Sequence, residues 1–425
     1  MYNQYRKFIL KNGLRVVLVP SPTSAVVTAT IIFRVGSRYE QDSEAGISHV
    51  LEHMHYKGTK KRPNAVDIAE FIESIGGEHN AFTAKEYTGY YAKVPAPHLE
   101  DALDFLGDIL QDSRFDSKEL EKEKVVVLHE FDMYEDIPLE VASNQFEKCL
   151  FGDNSLGREI IGTKKSILSI TPKDLFSFKD KFYTAPNAVL VVAGNVGEKS
   201  DRELIKMFER YFDLPDREPN IPSEIILNKE KCLKVYRRKA EQSHIIIGFH
   251  GPKFSDPDHF GMKMLALILG GSMSSRMFVE IREKKNLAYA IRSSVTNYIE
   301  AGFIDTHAGV GHEMVYETIS SILAEYRKIK SSEIPEREIN KAKEIIRGRL
   351  MISFEDSEEA ANHYAIDELM SGEILTQQKL DEIYSSISAK DLYALSHKYL
   401  DDDKMSLAYV GPTAKTEEIS KIFKL

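Results

Sequence analysis

SITPKDLFSFKDKFYTAPNAVLVVAGNV (Ser169–Val196) and SISAKDLYALSHKYLDDDKMSLAYVGPT (Ser386–Thr413) follow one plan. In each, a helix capped near Thr171 or Ser388 leads through a connector into an apolar strand. Upstream, RFDSKELEKEKVVVLHEF (Arg114–Phe131) aligns with EIPEREINKAKEIIRGRL (Glu333–Leu350), so that Glu130 falls opposite Arg349. Both of these segments are periodic and amphipathic, hence helical. Alternating runs (RVVLVP, AVVTATIIFRVG, TGYYAKV) read as strands ahead of the first set of helices. SHIIIGFHG, YAIRSSVTNY and GFIDTHAGV take that part in the second. Strands on one side and helices on the other predict an α+β fold, a sheet-plus-helix layer in each half, arising by internal duplication. The proline-rich polar stretch DLPDREPNIPSE (Asp213–Glu224) reads as a linker. The expected domains are therefore 1–214 and 231–425, joined by 215–230.

Composition narrows the function classes. The chain has 425 residues, 42% of them hydrophobic and 29% charged, as in a globular protein with sizeable cores. The formal net charge of −10 is spread along the sequence rather than gathered in blocks. That argues against a nucleic-acid partner and leaves room for an acidic cavity that attracts basic peptides. Two cysteines, Cys149 and Cys232, imply no disulfide framework and fit a reducing cytoplasm. The N-terminal stretch reaches a strand pattern at once, unlike a secretory signal. No apolar run reaches the ~18 residues that a membrane span needs. The expectation is a cytoplasmic protein without a membrane partner.

The chemistry is concentrated in GISHVLEHMHYKGT (Gly46–Thr59). On a helix, His49 and His53 stand one above the other and can grip one ion, with Glu52 on the same face beside it. A histidine pair on a solvent face would read the same way. A catalytic zinc wants a third protein ligand and an open fourth position. The stretch KELEKEKVVVLHEFDMYEDIP offers Glu123 and Glu130, two turns apart on one face, although a charged helix with incidental glutamates also fits.

Taken together these residues resemble the pitrilysin-like (inverzincin) family of zinc metallopeptidases, whose members include insulin-degrading enzyme and the mitochondrial processing peptidase. HVLEH matches the family's inverted motif His-x-x-Glu-His, and the flanks match G-x-x-H-x-x-E-H-x-x-x-K-G-T. The resemblance covers essentially the whole chain and points to the two-domain, half-length branch. It implies one zinc per chain, held by His49, His53 and Glu130, with Glu52 as general base then acid and Glu123 supporting a ligand histidine. His55, where the family usually has an apolar or aromatic residue, reads as packing or surface.

SSRMFVEIREKKNLAY resembles the family's S-S-R-L-F…R-E-x-x-G-L-A-Y, which gives Arg282 and Tyr289 the task of gripping substrate carbonyls. Asn286 replaces the family's glycine and tolerates the left-handed turn expected there. GGEHNAFTAKEYTGYY resembles an edge strand carrying N-A-x-T, so Asn80 and Ala81 are expected to receive a peptide by strand addition. LGGSMSSR (Leu269–Arg276) lacks the Lys-Ser/Thr ending of a phosphate loop and predicts no nucleotide cofactor.

The reading expected for the whole chain is a zinc metalloendopeptidase acting on unfolded peptides inside a closed chamber. By resemblance it is a homodimer whose site is completed by the partner chain. The rivals are a catalytically silent scaffold subunit and a zinc hydrolase of small amides.

Overall fold

The computed structural model of the chain describes residues 4–221, 225, 227 and 230–425. They form two compact units that take interleaved lengths of chain. The first comprises Met1–Phe131, Arg158–Ser223 and Arg349–Lys379; the second comprises Asp132–Gly157, Glu224–Gly348 and Leu380–Leu425. Each is built on one sheet.

The first sheet uses β1 (Arg6–Ile9), β2 (Arg15–Pro20), β3 (Val26–Phe33), β4 (Glu78–Thr83), β5 (Thr88–Pro95) and β6 (Ala188–Gly194) in the order β1-β2-β6-β3-β5-β4. β2 and β6 run parallel and every other pairing is antiparallel. β6, AVLVVAG, is buried along its whole length. An apolar run without alternation marks a strand covered on both faces. Leu18, Ile31, Phe33, Leu190 and Val192 face a core shared with the helices Ile47–His55, Leu99–Asp112, Pro172–Phe182 and Asp201–Tyr211. Val17, Val19, Ile32, Val189 and Val191 point the other way, onto Ala360, Ala361, Tyr364 and Ala365 of the helix Ser357–Met370. Thr28 and Ser357 share a buried hydroxyl hydrogen bond of 2.7 Å at that contact.

The second sheet repeats the layout without a counterpart of β1. Its strands are β7 (Cys232–Arg237), β8 (Ser243–His250), β9 (Ala288–Asn297), β10 (Gly302–Val310) and β11 (Met405–Gly411), ordered β7-β11-β8-β10-β9 with β7 and β11 parallel. Here the helix Pro138–Phe151 covers one face, placing Val141, Ala142 and Phe146 against Ile246, Phe303, Ala408 and Val410. The duplicated ends reappear as two helices with the same cap. Thr171 pairs reciprocally with Asp174, and Ser388 with Asp391.

The compact units therefore interleave, whereas the sequence reading drew contiguous domains. Both central strands are apolar on two faces, and in each unit the cover for the second face is a helix from elsewhere in the chain. Residues 213–221 of the expected linker carry neither helix nor strand; 222–224, 226, 228 and 229 lie outside the described residues. The cysteines depart from expectation, since Cys149 and Cys232 are joined by a disulfide that ties the helix Pro138–Phe151 to β7. Among the described residues no helix is long and apolar enough to cross a membrane.

Candidate metal centre

The helix Ile47–His55 is amphipathic at helical spacing. Ile47, Val50, Leu51 and Met54 are buried in the core, which turns His49, Glu52 and His53 together to the opposite side. The helix Ser117–Asp136 buries Leu120 and Val127 and carries Glu123 and Glu130.

These two helices bring three ligand atoms to one point. His49 Nε2 and His53 Nε2 are 3.2 Å apart, and Glu130 Oε2 is 3.7 Å from each. Tetrahedral zinc bonded at about 2.0–2.2 Å sets neighbouring ligand atoms roughly 3.3 Å apart, so the trio fits that ion. Among the described residues no other group of three or more His, Cys, Asp or Glu side chains could hold a metal.

The surrounding contacts prepare the ligands. His53 Nδ1 lies 2.8 Å from Glu123 Oε1, and the other Glu123 oxygen is 2.8 Å from Lys57 Nζ. Burial alone would raise the Glu123 pKa, but the hydrogen bonds from His53 and Lys57 outweigh it and hold it below the ordinary glutamate value. An ionised Glu123 accepts a hydrogen bond from Nδ1–H, which keeps that proton on Nδ1 and leaves the Nε2 lone pair of His53 free to bind. Burial, helped by the charge of His53, pulls His49 down to about 4, so its imidazole is neutral as a ligand must be. Glu52 shifts the opposite way. Burial raises its pKa, the nearby Glu130 charge adds to that, and a hydrogen bond from Thr83 Oγ1 to Glu52 Oε2 opposes it. A carboxylate made more basic and held in place suits proton transfer.

Asn80 and Ala81 lie on β4, the outermost strand of its sheet. With Tyr56, Lys57 and His79 they line a depression of about 240 Å³ that also touches Glu52, His53 and Glu123. His55 packs, as expected: it is buried, with Nδ1 2.7 Å from the Ile109 carbonyl.

Arg282 and Tyr289 stand on the second unit, whereas the metal-binding trio is wholly on the first. They are neighbours, with the Arg282 guanidinium 5.7 Å from the Tyr289 ring centre. Tyr289 is 73% exposed at the start of β9. Asn286 between them has φ +54, the left-handed turn that its side chain tolerates. Thr83 and Lys57 were not singled out from sequence, although both sit in the matched stretches, at the end of N-A-x-T and in the K-G-T flank.

Residues 15–164 match the family described as insulinase (peptidase family M16), and residues 169–346 match the one described as the peptidase M16 inactive domain. The second match, to a domain described as inactive, agrees with a copy that lacks the motif histidines. The chain is 34% identical over 414 residues to the uncharacterized zinc protease YmxG of Bacillus subtilis, covering 96% of this chain and 98% of that one. It is 35% identical over 411 residues to an uncharacterized zinc protease of Rickettsia felis, covering 95% and 96%. A protease from Helicobacter pylori superposes with a TM-score of 0.89 at 23% identity, over 97% of this chain and 100% of that one. Two domain matches in tandem, and relatives aligned nearly end to end, establish that this chain belongs to the M16, or insulinase, family of peptidases.

Proposed function

We propose that the chain is a zinc-dependent metalloendopeptidase that cuts unfolded peptides, with one zinc per chain. The observation that carries this reading is the convergence of His49, His53 and Glu130 beside a Glu52 carboxylate held by Thr83. The zinc protease names of the relatives support the choice of metal. When bound there, zinc would act as the Lewis acid that polarises water and the peptide carbonyl. Glu52 accepts the proton of the attacking water and passes it to the leaving amine. Glu123 and Lys57 keep His53 in the binding tautomer. The free edge of β4 at Asn80 and Ala81 offers main-chain hydrogen bonds to an extended peptide, which favours unfolded substrates of varied sequence.

Arg282 and Tyr289 complete the proposal as the pair that grips substrate carbonyls, with Tyr289 donating to the oxyanion. Their exposure and contact with each other support that role. We place them at a partner chain's zinc in a homodimer that encloses a chamber. The proposed setting is the cytoplasm; the Cys149–Cys232 bond weighs the other way, because disulfides persist in oxidising compartments. The rival reading, a silent scaffold subunit, finds no altered residue in the metal-binding motif to support it.

The test is a zinc-loaded preparation given a mixed peptide library. The wild-type chain is expected to cleave, and Glu52→Gln to keep one zinc while losing cleavage. Substantial turnover by the zinc-loaded variant would remove Glu52 from its role. A zinc-loaded wild-type chain that cleaves nothing would favour the scaffold.

A further inference from the structure

The helix Ile47–His55 begins without a cap of its own. Its N-cap is Gly46 at φ 91, with no side chain to accept from the first turn. A Cβ at that position would come 2.4 Å from the Ile161 carbonyl oxygen, so the Ser, Thr, Asp or Asn that usually caps a helix cannot stand there. One open N–H of the first turn, and that of Gly46 before it, are met from outside. Glu40, buried and outside the helix, accepts from Gly46 N at 2.8 Å through Oε2 and from Ser48 N at 2.9 Å through Oε1. Both carboxylate oxygens are thus used on backbone N–H groups at the start of the helix.

Glu40 is itself fixed. Arg158 Nη1 donates to the Glu40 carbonyl at 2.8 Å and to the Ser37 carbonyl at 3.1 Å. Ser166 Oγ donates to the Ala45 carbonyl at 2.6 Å, one residue before Gly46. The clamp acts at Ser48, and the next residue is His49. His49 Nε2 faces His53 and Glu130, but its buried Nδ1 has no hydrogen-bond partner among the described residues, whereas His53 Nδ1 has Glu123.

Resting on the zinc-peptidase reading, we propose that Glu40 is a positioning residue of the metal centre, a cap supplied from outside that sets the first turn of the motif helix and thereby where His49 stands. Ligand sites need placement within about 0.5 Å, normally secured by partners of the ligands. For His49 that partner is a cap on the backbone beside it.

The test is zinc affinity, read by competition with a chromophoric chelator, for wild type, Glu40→Gln, Glu40→Asp and Asn64→Ala. Asn64 caps another helix of the same unit, accepting from Asp67 N at 3.0 Å, and controls for the general loss of a cap. Glu40→Gln presents an amide where an acceptor is needed and should weaken zinc by about 10–100-fold, as loss of a ligand's support does elsewhere. Glu40→Asp, too short to reach both N–H groups, should fall between. Asn64→Ala should lower thermal stability and leave zinc affinity within about twofold. Wild-type affinity in both Glu40 variants, or equal weakening in Asn64→Ala, would overturn the positioning role alone. A wild-type chain that bound no zinc would overturn the metal reading and this role with it.

Discussion

Glu123 and Glu130 are the same side chain two turns apart on one helix, and their neighbours give them different work. Glu130 faces two Nε2 atoms at 3.7 Å, while Glu123 faces Nδ1 of His53 and the Lys57 ammonium. Glu130→Gln is expected to empty the site. Glu123→Gln should leave it fillable, with metal affinity or activity lower by about 10–100-fold; metal analysis after dialysis would show the roles exchanged if the variants behaved the other way round. A second carboxyl shows what burial does without a metal. Asp305 on β10 is buried, which raises its pKa to about 7; Glu147 adds to the rise and a hydrogen bond from Ser294 opposes it. Between about pH 4 and 7 the folded protein therefore holds a proton that the unfolded chain has lost, and stability falls as pH rises through that window. Asp305→Asn removes the penalty. It should match wild type near pH 4 and exceed it by about 2–4 kcal/mol above pH 7 in urea unfolding of metal-free protein. His49, Glu52 and His53 were readable from helical spacing, whereas Glu130 was set apart as the third ligand only by the family resemblance. Thr83 and Glu40 act across the fold, and a lone threonine or glutamate carries no periodic mark of its partner.

Elements were legible where one physical signal dominated. β2 and β10 coincide with the runs RVVLVP and GFIDTHAGV, and the caps at Thr171 and Ser388 begin the helices expected there. β7, CLKVYR, was not read as a strand, and β1, RKFI, was read only within the strand pattern of the N-terminal stretch and not as a strand of its own. β1 is largely exposed and β7 is only partly buried, so neither shows the apolar alternation that announces a strand. The disulfide was not legible either, because two cysteines 83 residues apart carry no pairing information until a helix and a strand bring them together. Its effect belongs to the elements it joins. Replacing both cysteines by serine should cost about 2–5 kcal/mol in urea unfolding and leave zinc affinity unchanged, since the bond lies wholly in the second unit. Protein denatured without reductant should show no titratable thiol; two thiols would mean that the bond is not formed.

At the scale of the whole molecule, the α+β duplication was legible, but the interleaving of its units was not. Hydrophobic periodicity says that a strand is covered on two faces without saying which helix covers it. The assembly proposed for the active enzyme is testable at this scale. Glu52→Gln and Tyr289→Phe are each expected to be inactive alone. Mixed and allowed to exchange, they would form heterodimers with one site intact on both sides, and activity should return to about a quarter of wild type at statistical mixing. Proven exchange with no recovery would mean that each site is completed within its own chain.

The helix Ser357–Met370 also sets an order of events during synthesis. Val17, Val19, Ile32, Val189, Val191 and Ala193 have all been translated by residue 193, yet the helix that covers them is encoded more than 160 residues later. At about 5–20 residues per second, that face waits on the order of ten to thirty seconds for its cover. A nascent chain in that interval presents a ready landing place for a holding chaperone, and a chain ending before Ser357 should bind a hydrophobic dye that the full chain does not. A truncated chain without added fluorescence would show that the early half buries this face unaided.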